Sequence, residues 1–487
     1  MNRDSLRRLP PEVMGPDYPR DAVTAGIAHI GVGAFHRAHL AVYVERCLSD
    51  ADQRDWGVLG ISLLARDAGF AKDLKAQDRL YSLTELAADG GRVTRVIGAI
   101  VEYVYAPDDP ARLIERLSDP AIRIVSLTIT EGGYVPDPES VAHDLAHPAA
   151  PKTAFGFIVA ALALRRATGV PPFAVMSCDN LRHNGEQARR ACVAHATARS
   201  PELASWIADN VDFPNAMVDR ITPAMSADRR TRLNTLNGLD DLVPVACEEF
   251  IQWVLEDRFR HGRPKWERHG VQMVADVAPY EEAKIRLLNG AHQMISYPAW
   301  LAGHRQVDAA LADPLFRRYL KCFLEEDAGV WVNSLPGMDL SDYKRQVLER
   351  FSNPAISDEI ERLCLDGGSK IPAFLKPTLN DCLRTGQDAR RLAFLLACFD
   401  RCVRIGRDDE NNRFPLREPN AMQWIQPMID GGSPMTLLNT VELVGDEAAA
   451  DARFVSQYLA CVAQLGDRGV RETLRELDLL TVSRQAD

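Results

Sequence analysis

A short apolar strand, a glycine turn and a helix follow one another near the start of the chain, and this order constrains the fold more than any other feature. The strand is predicted at residues 27–30, the turn is Gly31-Val-Gly33, and the helix is predicted at residues 38–48. Glycines between a strand and a helix allow a close approach of backbone to the phosphates of a dinucleotide. The match is partial, because His36 stands where the third glycine of that fingerprint belongs. The turn therefore indicates dinucleotide binding, although glycines that only relieve a tight turn would look the same.

Strands alternating with helices continue beyond this turn. Apolar, β-branched runs recur at residues 56–63, 93–101, 122–129 and 173–178, with a helical pattern between the last two. This alternation is typical of a parallel, doubly wound sheet. After about residue 280 the apolar pattern has mostly helical spacing.

Length and pattern together predict two domains. The fold class is α/β, with a Rossmann-like, doubly wound N-terminal domain followed by a mostly α-helical C-terminal domain. We expect residues 1–280 to form the dinucleotide-binding domain and residues 281–487 to form the substrate and catalytic domain.

Charge and cysteine content exclude several classes of function. Lys plus Arg number 57 against 68 Asp plus Glu, a net charge of −11, which argues against a nucleic acid or an anionic membrane as the main partner. The 10 cysteines include no Cys-x-x-Cys pair and no His spaced as in a zinc site. Scattered thiols are typical of a reducing compartment, and the apolar runs are too short to cross a bilayer. We therefore expect a cytoplasmic protein that binds a small molecule and no metal.

The residues after the second strand bear on which dinucleotide is bound. Asp67 could accept hydrogen bonds from the adenosine ribose hydroxyls, which would favour NAD. It lies further from the glycine turn than the usual ~20 residues, because the loop at residues 49–55 is long. Arg66 could instead pair with a 2′-phosphate, and Asp67 could be a solvated loop carboxylate. We predict NAD as the cofactor, with NADP possible.

A base, an amide and an imidazole occur together in the run Lys284-Ile-Arg-Leu-Leu-Asn-Gly-Ala-His292. A neutral lysine amine can take a proton from an alcohol, and the amide of Asn289 can stabilise the alkoxide that forms. The same residues could also be an exposed lysine at a helix start and a core histidine bonded to backbone. Beside a dinucleotide turn, the run favours metal-free oxidation of an alcohol.

Asn180 offers a second amide at the end of a predicted strand. It closes the run Ser177-Cys-Asp-Asn180, at the edge where ligands bind in an open α/β sheet. Two neutral amides can stabilise an alkoxide without raising the pKa of a nearby lysine by opposite charge. The alternative is that Asn180 caps the helix that follows.

Longer runs carry a resemblance to a known family. They are Ile27-Ala-His-Ile-Gly-Val-Gly-Ala-Phe-His-Arg-Ala-His39, Ser126-Leu-Thr-Ile-Thr-Glu-Gly-Gly-Tyr134, Ser177-Cys-Asp-Asn-Leu181, Phe213-Pro-Asn-Ala-Met-Val-Asp-Arg-Ile-Thr-Pro223 and Lys284-Ile-Arg-Leu-Leu-Asn-Gly-Ala-His292. With these runs in this order, the chain resembles the polyol-specific long-chain dehydrogenases of the mannitol dehydrogenase family. The resemblance extends from residue 27 to beyond residue 377 and covers nearly the whole chain.

The resemblance implies a role for each of a set of residues. These are the general base Lys284, the oxyanion-hole amides Asn180 and Asn289 and the substrate-contacting His292; the substrate residues Asp219, Arg362 and Lys370; the proton path Glu131 and Glu281; and the cofactor residues Gly31, Gly33, Phe35, Arg37 and Asp67. None of the substrate and proton-path residues stands out by spacing alone.

The activity that the resemblance implies is a metal-independent interconversion of a sugar alcohol and a ketose with a nicotinamide cofactor. D-mannitol and D-fructose are the expected pair, and D-arabinitol, D-sorbitol or a hexuronate are the alternatives. Residues 293–300 depart from the pattern of mannitol enzymes, and Pro298 is expected to kink the helix. A non-catalytic NAD-binding sensor is a rival of another class, against which the intact Lys284 argues. We expect a monomer or a small homo-oligomer.

Overall fold

The chain divides into two units close to residue 280. The computed structural model describes residues 1–482, and the first unit is Met1–Ala278 while the second is Pro279–Asp487. The first unit is α/β and the second is mostly helical, which confirms the predicted fold class.

Short strands build the sheets of the first unit. In chain order they are β1 (Val13–Met14), β2 (Ala25–Ile30), β3 (Gly57–Ser62), β4 (Tyr81–Leu86), β5 (Arg92–Ile97), β6 (Ile100–Tyr105), β7 (Ile124–Leu127), β8 (Ala174–Ser177), β9 (Ala216–Asp219), β10 (Val245–Glu248), β11 (Gln252–Glu256) and β12 (Gln272–Val274). Their hydrogen bonds define a central sheet and two smaller ones.

The central sheet has parallel strands in the order β6-β3-β2-β7-β8. Every residue of β2, β3, β7 and β8 is buried, as expected for parallel strands covered on both faces. The strand order reverses between β2 and β7, because the chain first builds toward β6 and later toward β8. Ligands of doubly wound sheets bind at the carboxyl edge beside this reversal. The turn at Gly31 follows β2 and the turn at Glu131 follows β7, so both lie at this edge.

The two smaller sheets were not expected from the sequence. Their strand orders are β1-β5-β4-β10 and β12-β11-β9. The prediction of a single strand at residues 93–101 is wrong, because the run contains most of β5 and the start of β6, which belong to different sheets. The chain changes sheet at Gly98, where a Cβ would lie 3.1 Å from the side chain of Pro16. An apolar pattern does not show such a break when the residues on both sides of it are buried.

Helices of the first unit follow or separate the strands. They are α1 (Ala34–Ala38), α2 (Leu40–Leu48), α3 (Ala68–Ala76), α4 (Pro110–Ser118), α5 (Pro138–Ala146), α6 (Ala154–Thr168), α7 (Asn184–Arg199), α8 (Pro201–Asn210) and α9 (Ala227–Asn237). Local sequence determines the ends of α6. The Thr153 hydroxyl accepts a hydrogen bond from the N–H of Gly156 at 2.9 Å, and Gly169 ends the helix with φ of +73°.

The second unit is a helical assembly. Its helices are α10 (Ala278–Lys284, which begins at the unit boundary), the π-helical turn Ile285–Asn289, α11 (Gly290–Leu301), α12 (Val307–Ala312), α13 (Pro314–Cys322), a second π-helical turn Phe323–Ala328, α14 (Leu340–Phe351), α15 (Ile360–Cys364), α16 (Gly367–Phe374), α17 (Lys376–Thr385), α18 (Arg390–Arg404), α19 (Met422–Ile429), α20 (Met435–Leu438), α21 (Val441–Val444), α22 (Asp446–Ala450) and α23 (Ala452–Val482). Within residues 1–482, none of the helices has the length and apolar character needed to cross a membrane.

Helix α11 forms the centre of the second unit. All of its residues except His292 are buried, and it packs against α15 and α18. Pro298 lies close to the C-terminal end, and the helix continues to Leu301. The proline therefore does not end the helix.

A widened helical turn joins α10 to α11. In the segment Ile285–Asn289 the N–H of Gly290 donates to the carbonyl of Ile285, five residues earlier. Such π turns occur mostly as single turns within longer helices and often at functional sites. Because the turn closes over five residues rather than four, Lys284 and Asn289 come close to the same side of the helix.

The turn after β2 requires glycine at its first position. Gly31 has φ of +99°, and a Cβ there would lie 2.1 Å from the carbonyl oxygen of Thr128. Gly33 differs, because its φ of −84° is open to any residue and a Cβ would meet no atom closer than 3.9 Å. Backbone conformation and packing therefore require glycine at position 31, whereas the space around Gly33 is open.

This difference predicts opposite outcomes for two alanine variants. Gly31→Ala should lower the free energy of unfolding by more than about 2 kcal/mol, because a positive φ costs about 1–3 kcal/mol and the overlap with Thr128 adds to it. Gly33→Ala, the matched control, should change it by less than about 1 kcal/mol. Urea unfolding followed by circular dichroism measures both. Equal stabilities of the two variants would contradict this account.

Candidate active site

Two stacked histidines support the glycine turn of the first unit. The rings of His29 and His36 stack with centroids 3.6 Å apart, and both side chains are buried. His29 lies 2.8 Å from the Ser126 hydroxyl and 2.9 Å from the Thr128 hydroxyl. Thr128 in turn donates to the carbonyl of Gly31 at 2.7 Å. Burial lowers the pKa of His29 to about 3 and also lowers the pKa of His36, so both rings are neutral.

Phe35 and Arg37, two of the predicted cofactor residues, differ in exposure. Phe35 is half-buried and stacks on His39 at 5.0 Å. Arg37 is only 7% exposed; its Nε donates to the carbonyl of Gly33 at 3.3 Å, and its Nη1 donates to the carbonyl of Val243. Arg37 therefore fixes the backbone of the turn instead of presenting its charge to solvent.

Asp67 and Arg66 lie in the short turn Ala65–Asp67 that follows β3. Asp67 is half-buried and Arg66 is exposed. Burial and the nearby Asp67 carboxylate raise the pKa of Tyr103 to about 12, against the hydrogen bond between Tyr103 and Ser62, which lowers it. A carboxylate and a guanidinium are thus adjacent at the end of the second strand of the central sheet.

A strained loop after β7 carries Glu131. Thr130 has φ of +62°, which residues other than glycine rarely adopt. The carboxylate of Asp179 accepts hydrogen bonds from the N–H groups of Ile129 at 3.1 Å and Thr130 at 2.8 Å, and from the hydroxyl of Tyr134 at 2.7 Å. These bonds offset the strain. Asp179, which the sequence analysis did not single out, therefore determines where the exposed Glu131 lies.

Asn180 is exposed at the carboxyl end of β8, as its position in the sequence predicted. The helix that follows begins at Asn184 with His183 in the capping position. The alternative that Asn180 caps this helix is therefore wrong.

Asp219 is the last residue of β9 and is 4% exposed. The side chain of Asn184 links this strand to β8, because its Nδ2 donates to the carbonyl of Asp179 at 3.0 Å and to that of Ala216 at 2.7 Å. One amide thus connects the strand that precedes Asn180 with the strand that ends at Asp219.

Lys284 and Asn289 lie at opposite ends of the π turn in the second unit. Lys284 is the last residue of α10 and is 8% exposed, so the alternative of an exposed lysine at a helix start is wrong. Asn289 is half-buried, and its Oδ1 has no hydrogen-bond partner in the described part of the chain. Glu281 lies one helical turn before Lys284 and is half-buried. An amine, an amide and a carboxylate thus share one short helical segment.

Arg362 and His292 lie close to Asp358, and Lys370 lies close to Arg362. Arg362 donates to both carboxylate oxygens of Asp358, through Nε at 2.8 Å and through Nη2. Burial opposes the charge on Asp358, yet Arg362 and the nearby His292 hold its pKa below the ordinary value. Lys370 Nζ donates to the carbonyls of Arg362 at 3.1 Å and Leu363 at 3.3 Å. Burial and the charge of Arg362 lower the pKa of Lys370.

His292 is the half-buried residue on the otherwise buried α11. Its ring stacks on Phe351 with centroids 4.0 Å apart. The half-buried position places His292 at the edge of the core.

Glu418 is a buried carboxylate that the sequence analysis missed. It accepts hydrogen bonds from the N–H groups of Gly367 and Gly368, each at 2.9 Å, at the start of the helix that carries Lys370. Burial raises the pKa of Glu418 to about 7. A Cβ on Gly367 would lie 1.7 Å from the hydroxyl of Tyr297. The only signal in the sequence is the Gly-Gly pair itself.

The predicted site residues form two groups, one in each unit. At or just beyond the carboxyl ends of strands in the first unit lie Gly31, Gly33, Asp67, Glu131, Asn180 and Asp219, with Phe35 and Arg37 in the helix after the glycine turn. The second group lies on the π turn, on the two helices that it joins and on the segment from α15 to α16. Its members are Glu281, Lys284, Asn289, His292, Arg362 and Lys370. Across residues 1–482, no group of His, Cys, Asp and Glu side chains is arranged to hold a metal ion. The first group suits a dinucleotide, and the second suits proton transfer on a polar organic substrate.

Both units match models of one protein family. Residues 25–268 match the mannitol dehydrogenase Rossmann domain, and residues 276–465 match the mannitol dehydrogenase C-terminal domain. Together with the fold, these matches define a polyol oxidoreductase that acts on CH–OH groups. The chain belongs to the mannitol dehydrogenase family.

Relatives with known names cover most of the chain. The polyol:NADP oxidoreductase of Gluconobacter oxydans (strain 621H) is 46% identical over 430 residues, 86% of this chain and 88% of its own. The mannitol 2-dehydrogenase of Phaeosphaeria nodorum is 39% identical over 488 residues, 98% of this chain and 85% of its own.

Two solved structures share the fold over almost their whole length. The mannitol 2-dehydrogenase of Pseudomonas fluorescens, in a ternary complex with NAD and D-mannitol, has a TM-score of 0.88 at 44% identity and covers 98% of this chain and 99% of its own. A D-sorbitol dehydrogenase in substrate-free form has a TM-score of 0.90 at 40% identity and covers 97% of this chain and 100% of its own.

Because the two histidines beside the glycine turn are neutral in the fold, the protein should lose stability as the pH falls. In the unfolded chain each imidazole binds a proton near pH 6.5, but the pKa of each ring is lower in the fold. Their contribution to stability is therefore complete above pH 6.5 and is lost as the pH falls toward the folded pKa. When the pH is lowered from 7.5 to 5.5, the free energy of unfolding should fall by about 1.4 kcal/mol for each of the two histidines. Urea titrations at both pH values measure this loss.

A pair of variants isolates the effect. His36→Phe keeps an aromatic ring against His29 and should remove about half of the loss, while His147→Phe on the surface should leave it unchanged. The same pH dependence in wild type and His36→Phe would show that His36 titrates normally in the fold.

Proposed function

We propose that the protein oxidises D-mannitol to D-fructose with NAD, without a metal ion, and catalyses the reverse reduction with NADH. The observation that carries the proposal is the buried Lys284 at one end of a π turn whose other end is Asn289. The similarity to the Pseudomonas fluorescens enzyme, whose structure contains NAD and D-mannitol, supports the substrate and the cofactor. The proposed location is the cytoplasm, and the proposed active form is a monomer or small homo-oligomer.

Lys284 is the proposed general base. In its neutral form the Nζ amine accepts the proton of the reacting hydroxyl. The carboxylates of Glu281 and Glu131 then relay that proton to solvent. The half-buried position of Glu281, one turn before Lys284, and the exposure of Glu131 support this route.

Asn180 and Asn289 are the proposed oxyanion donors. Their side-chain N–H groups stabilise the alkoxide as the proton leaves. Because both amides are neutral, they add no negative charge that would favour the protonated form of the base.

His292, Arg362, Lys370 and Asp219 are the proposed contacts for the other hydroxyls of the polyol. Asp358 holds Arg362 through two hydrogen bonds, which restricts the orientation of the guanidinium. Lys370 is held by two backbone carbonyls and is half-buried. Fixed donors of this kind favour a ligand rich in hydroxyls.

The first unit is the proposed dinucleotide site. A nicotinamide cofactor held there would supply the hydride acceptor for oxidation at the carbinol carbon. The open space at Gly33 and the reversal of strand order beside Gly31 fit a dinucleotide there. Asp67 accepts hydrogen bonds from the adenosine ribose, Phe35 packs beside the turn, and Arg37 acts through the Gly33 carbonyl that it holds.

D-sorbitol is the second candidate substrate, and NADP is the second candidate cofactor. The first is favoured by the D-sorbitol dehydrogenase structure, with a TM-score of 0.90. The second is favoured by the polyol:NADP oxidoreductase of Gluconobacter oxydans, which is 46% identical to this chain. Arg66, exposed beside Asp67, is the residue that would pair with the extra phosphate.

A spectrophotometric screen tests the proposed activity. D-mannitol, D-sorbitol, D-arabinitol and their ketoses are each supplied with NAD(H) and NADP(H), with and without EDTA. We expect the highest kcat/KM for D-mannitol and D-fructose, with no effect of EDTA, because the base is an amine. Inactivation by EDTA that added Zn²⁺ reverses would overturn the metal-free mechanism. No turnover with any polyol would favour a dinucleotide-binding sensor.

Replacement of the base should separate chemistry from binding. Lys284→Ala should lower kcat for polyol oxidation by about 10²–10⁴-fold, while NADH binding, measured by fluorescence titration, should persist. The control is Lys321→Ala, an exposed lysine of the same unit, which should leave kcat unchanged. In wild type the rate of oxidation should rise with pH, because only the neutral amine accepts a proton. A Lys284→Ala enzyme with more than half of the wild-type kcat would contradict the assignment.

Cofactor preference should depend on Asp67. Its carboxylate would accept hydrogen bonds from the ribose of NAD and repel a 2′-phosphate, so wild type should prefer NAD and show measurable NADP use. Asp67→Ala should relax or reverse the preference in kcat/KM, since Arg66 is then left to pair with the phosphate. Asp73→Ala, on the helix that follows, is the control. An unchanged NAD/NADP ratio in Asp67→Ala would exclude Asp67 as the discriminating residue.

A further inference from the structure

Gln293 is a buried amide on α11, in the segment 293–300 that departs from the family pattern, and the sequence alone indicates no role for it. Its side chain is 2% exposed, and its Nε2 donates to the carbonyl of Leu363 at 3.2 Å. Because a carbonyl only accepts hydrogen bonds, this contact determines which end of the amide is the nitrogen. The oxygen of the amide must therefore point away from Leu363.

The amide oxygen of Gln293 lacks a donor within the protein. Its Oε1 is buried and has no hydrogen-bond partner among the residues that the structure describes. A buried acceptor left in this state destabilises the fold. Such a group is retained at little cost when a ligand or an ordered water supplies the missing donor.

The surroundings of Gln293 are those of the proposed polyol site. Lys370 Nζ donates to the same Leu363 carbonyl, at 3.3 Å, so the ammonium group and the amide nitrogen meet at one oxygen atom. Asn289 lies one turn earlier on the same side of the helix, and its Oδ1 is likewise buried without a partner in the described residues. Gln293 also follows directly after His292.

We infer that Gln293 binds substrate: its Oε1 accepts a hydrogen bond from a polyol hydroxyl other than the one that is oxidised. This assignment rests on the proposed function. Four residues of rise separate Gln293 from Asn289 by about 6 Å along the axis, so the two amides reach different carbons of one polyol. An amide oxygen accepts from a hydroxyl and offers nothing to a carboxylate. At its own position Gln293 therefore favours a hydroxyl over a carboxylate.

A structural role for Gln293 predicts a different set of effects. The bond to Leu363 joins α11 to α15, so its loss alone would weaken packing and affect all substrates alike. A hydroxyl contact instead affects only substrates that carry that hydroxyl. The two roles are separated by comparing substrates within one variant.

The experiment measures kcat/KM for the polyol that wild type oxidises fastest and for analogues that each lack one hydroxyl. The variants are Gln293→Met, which removes the acceptor, and Gln293→Glu, which retains one. Ser296→Ala is the control on the same helix, since the Ser296 hydroxyl donates to the backbone carbonyl of Gln293, at 2.7 Å, and not to its side chain. Gln293→Ala replaces the methionine variant if the latter does not fold.

In wild type, removal of one of the non-reacting hydroxyls should lower kcat/KM by about 10- to 100-fold. In Gln293→Met that penalty should fall to about twofold or less, with kcat for the full polyol changed less than KM. Gln293→Glu and Ser296→Ala should retain the wild-type penalty.

Penalties that are the same in Gln293→Met and wild type for every hydroxyl would overturn the inference and indicate an internal water or a packing role. If wild type oxidises no polyol with either cofactor, the proposed function and this role both fail. An active wild type with unchanged penalties overturns this role alone.

Discussion

The burial of polar side chains in an apolar interior is the constraint on which both parts of the candidate site depend. A buried polar group without a partner costs free energy, so nearly all such groups in folded proteins bond to backbone, other side chains or ligands. In the first unit, Asp179 bonds the strained loop at Thr130, and His29 bonds the hydroxyl that fixes Gly31. In the second unit, Glu418 bonds the N–H groups at the start of α16. Side chains within the core thus determine where the loops lie.

The same constraint distinguishes residues that support the site from residues suited to contact a ligand. Arg37 and Asp179 have their hydrogen-bonding groups engaged by the protein, so they act on the positions of their neighbours. Asn289 and Gln293 each leave a buried amide oxygen without a partner in the described chain. A polar, hydroxyl-rich ligand would supply what these oxygens lack. A site of this kind binds such a ligand with little reorganisation, because its amides are already held by packing.

Much of the fold was predictable because its signals lie within short segments of the sequence. Parallel strands and core helices carry their periodicity within each segment, so the strands near Ile27 and Val175 and the helix that follows the glycine turn were recognised. The change of sheet at Gly98 was not, because both flanking strands are apolar and the break depends on contacts with Pro16. Asp179, Glu418 and Gln293 were missed for a related reason. Their partners are distant in sequence, as with Glu418 and Gly367, which are 51 residues apart.

The sequence by itself determined the α/β class, the glycine turn and the grouping of Lys284, Asn289 and His292, because each is a matter of short-range spacing. Only the tertiary structure decided that Lys284 is buried, that the turn beyond it is a π turn, and that Arg37 acts on the backbone. It also decided that Lys370 and Gln293 share one carbonyl oxygen. Burial and hydrogen bonding between remote segments depend on how the whole chain packs. The spacing of residues within a short run does not determine that packing.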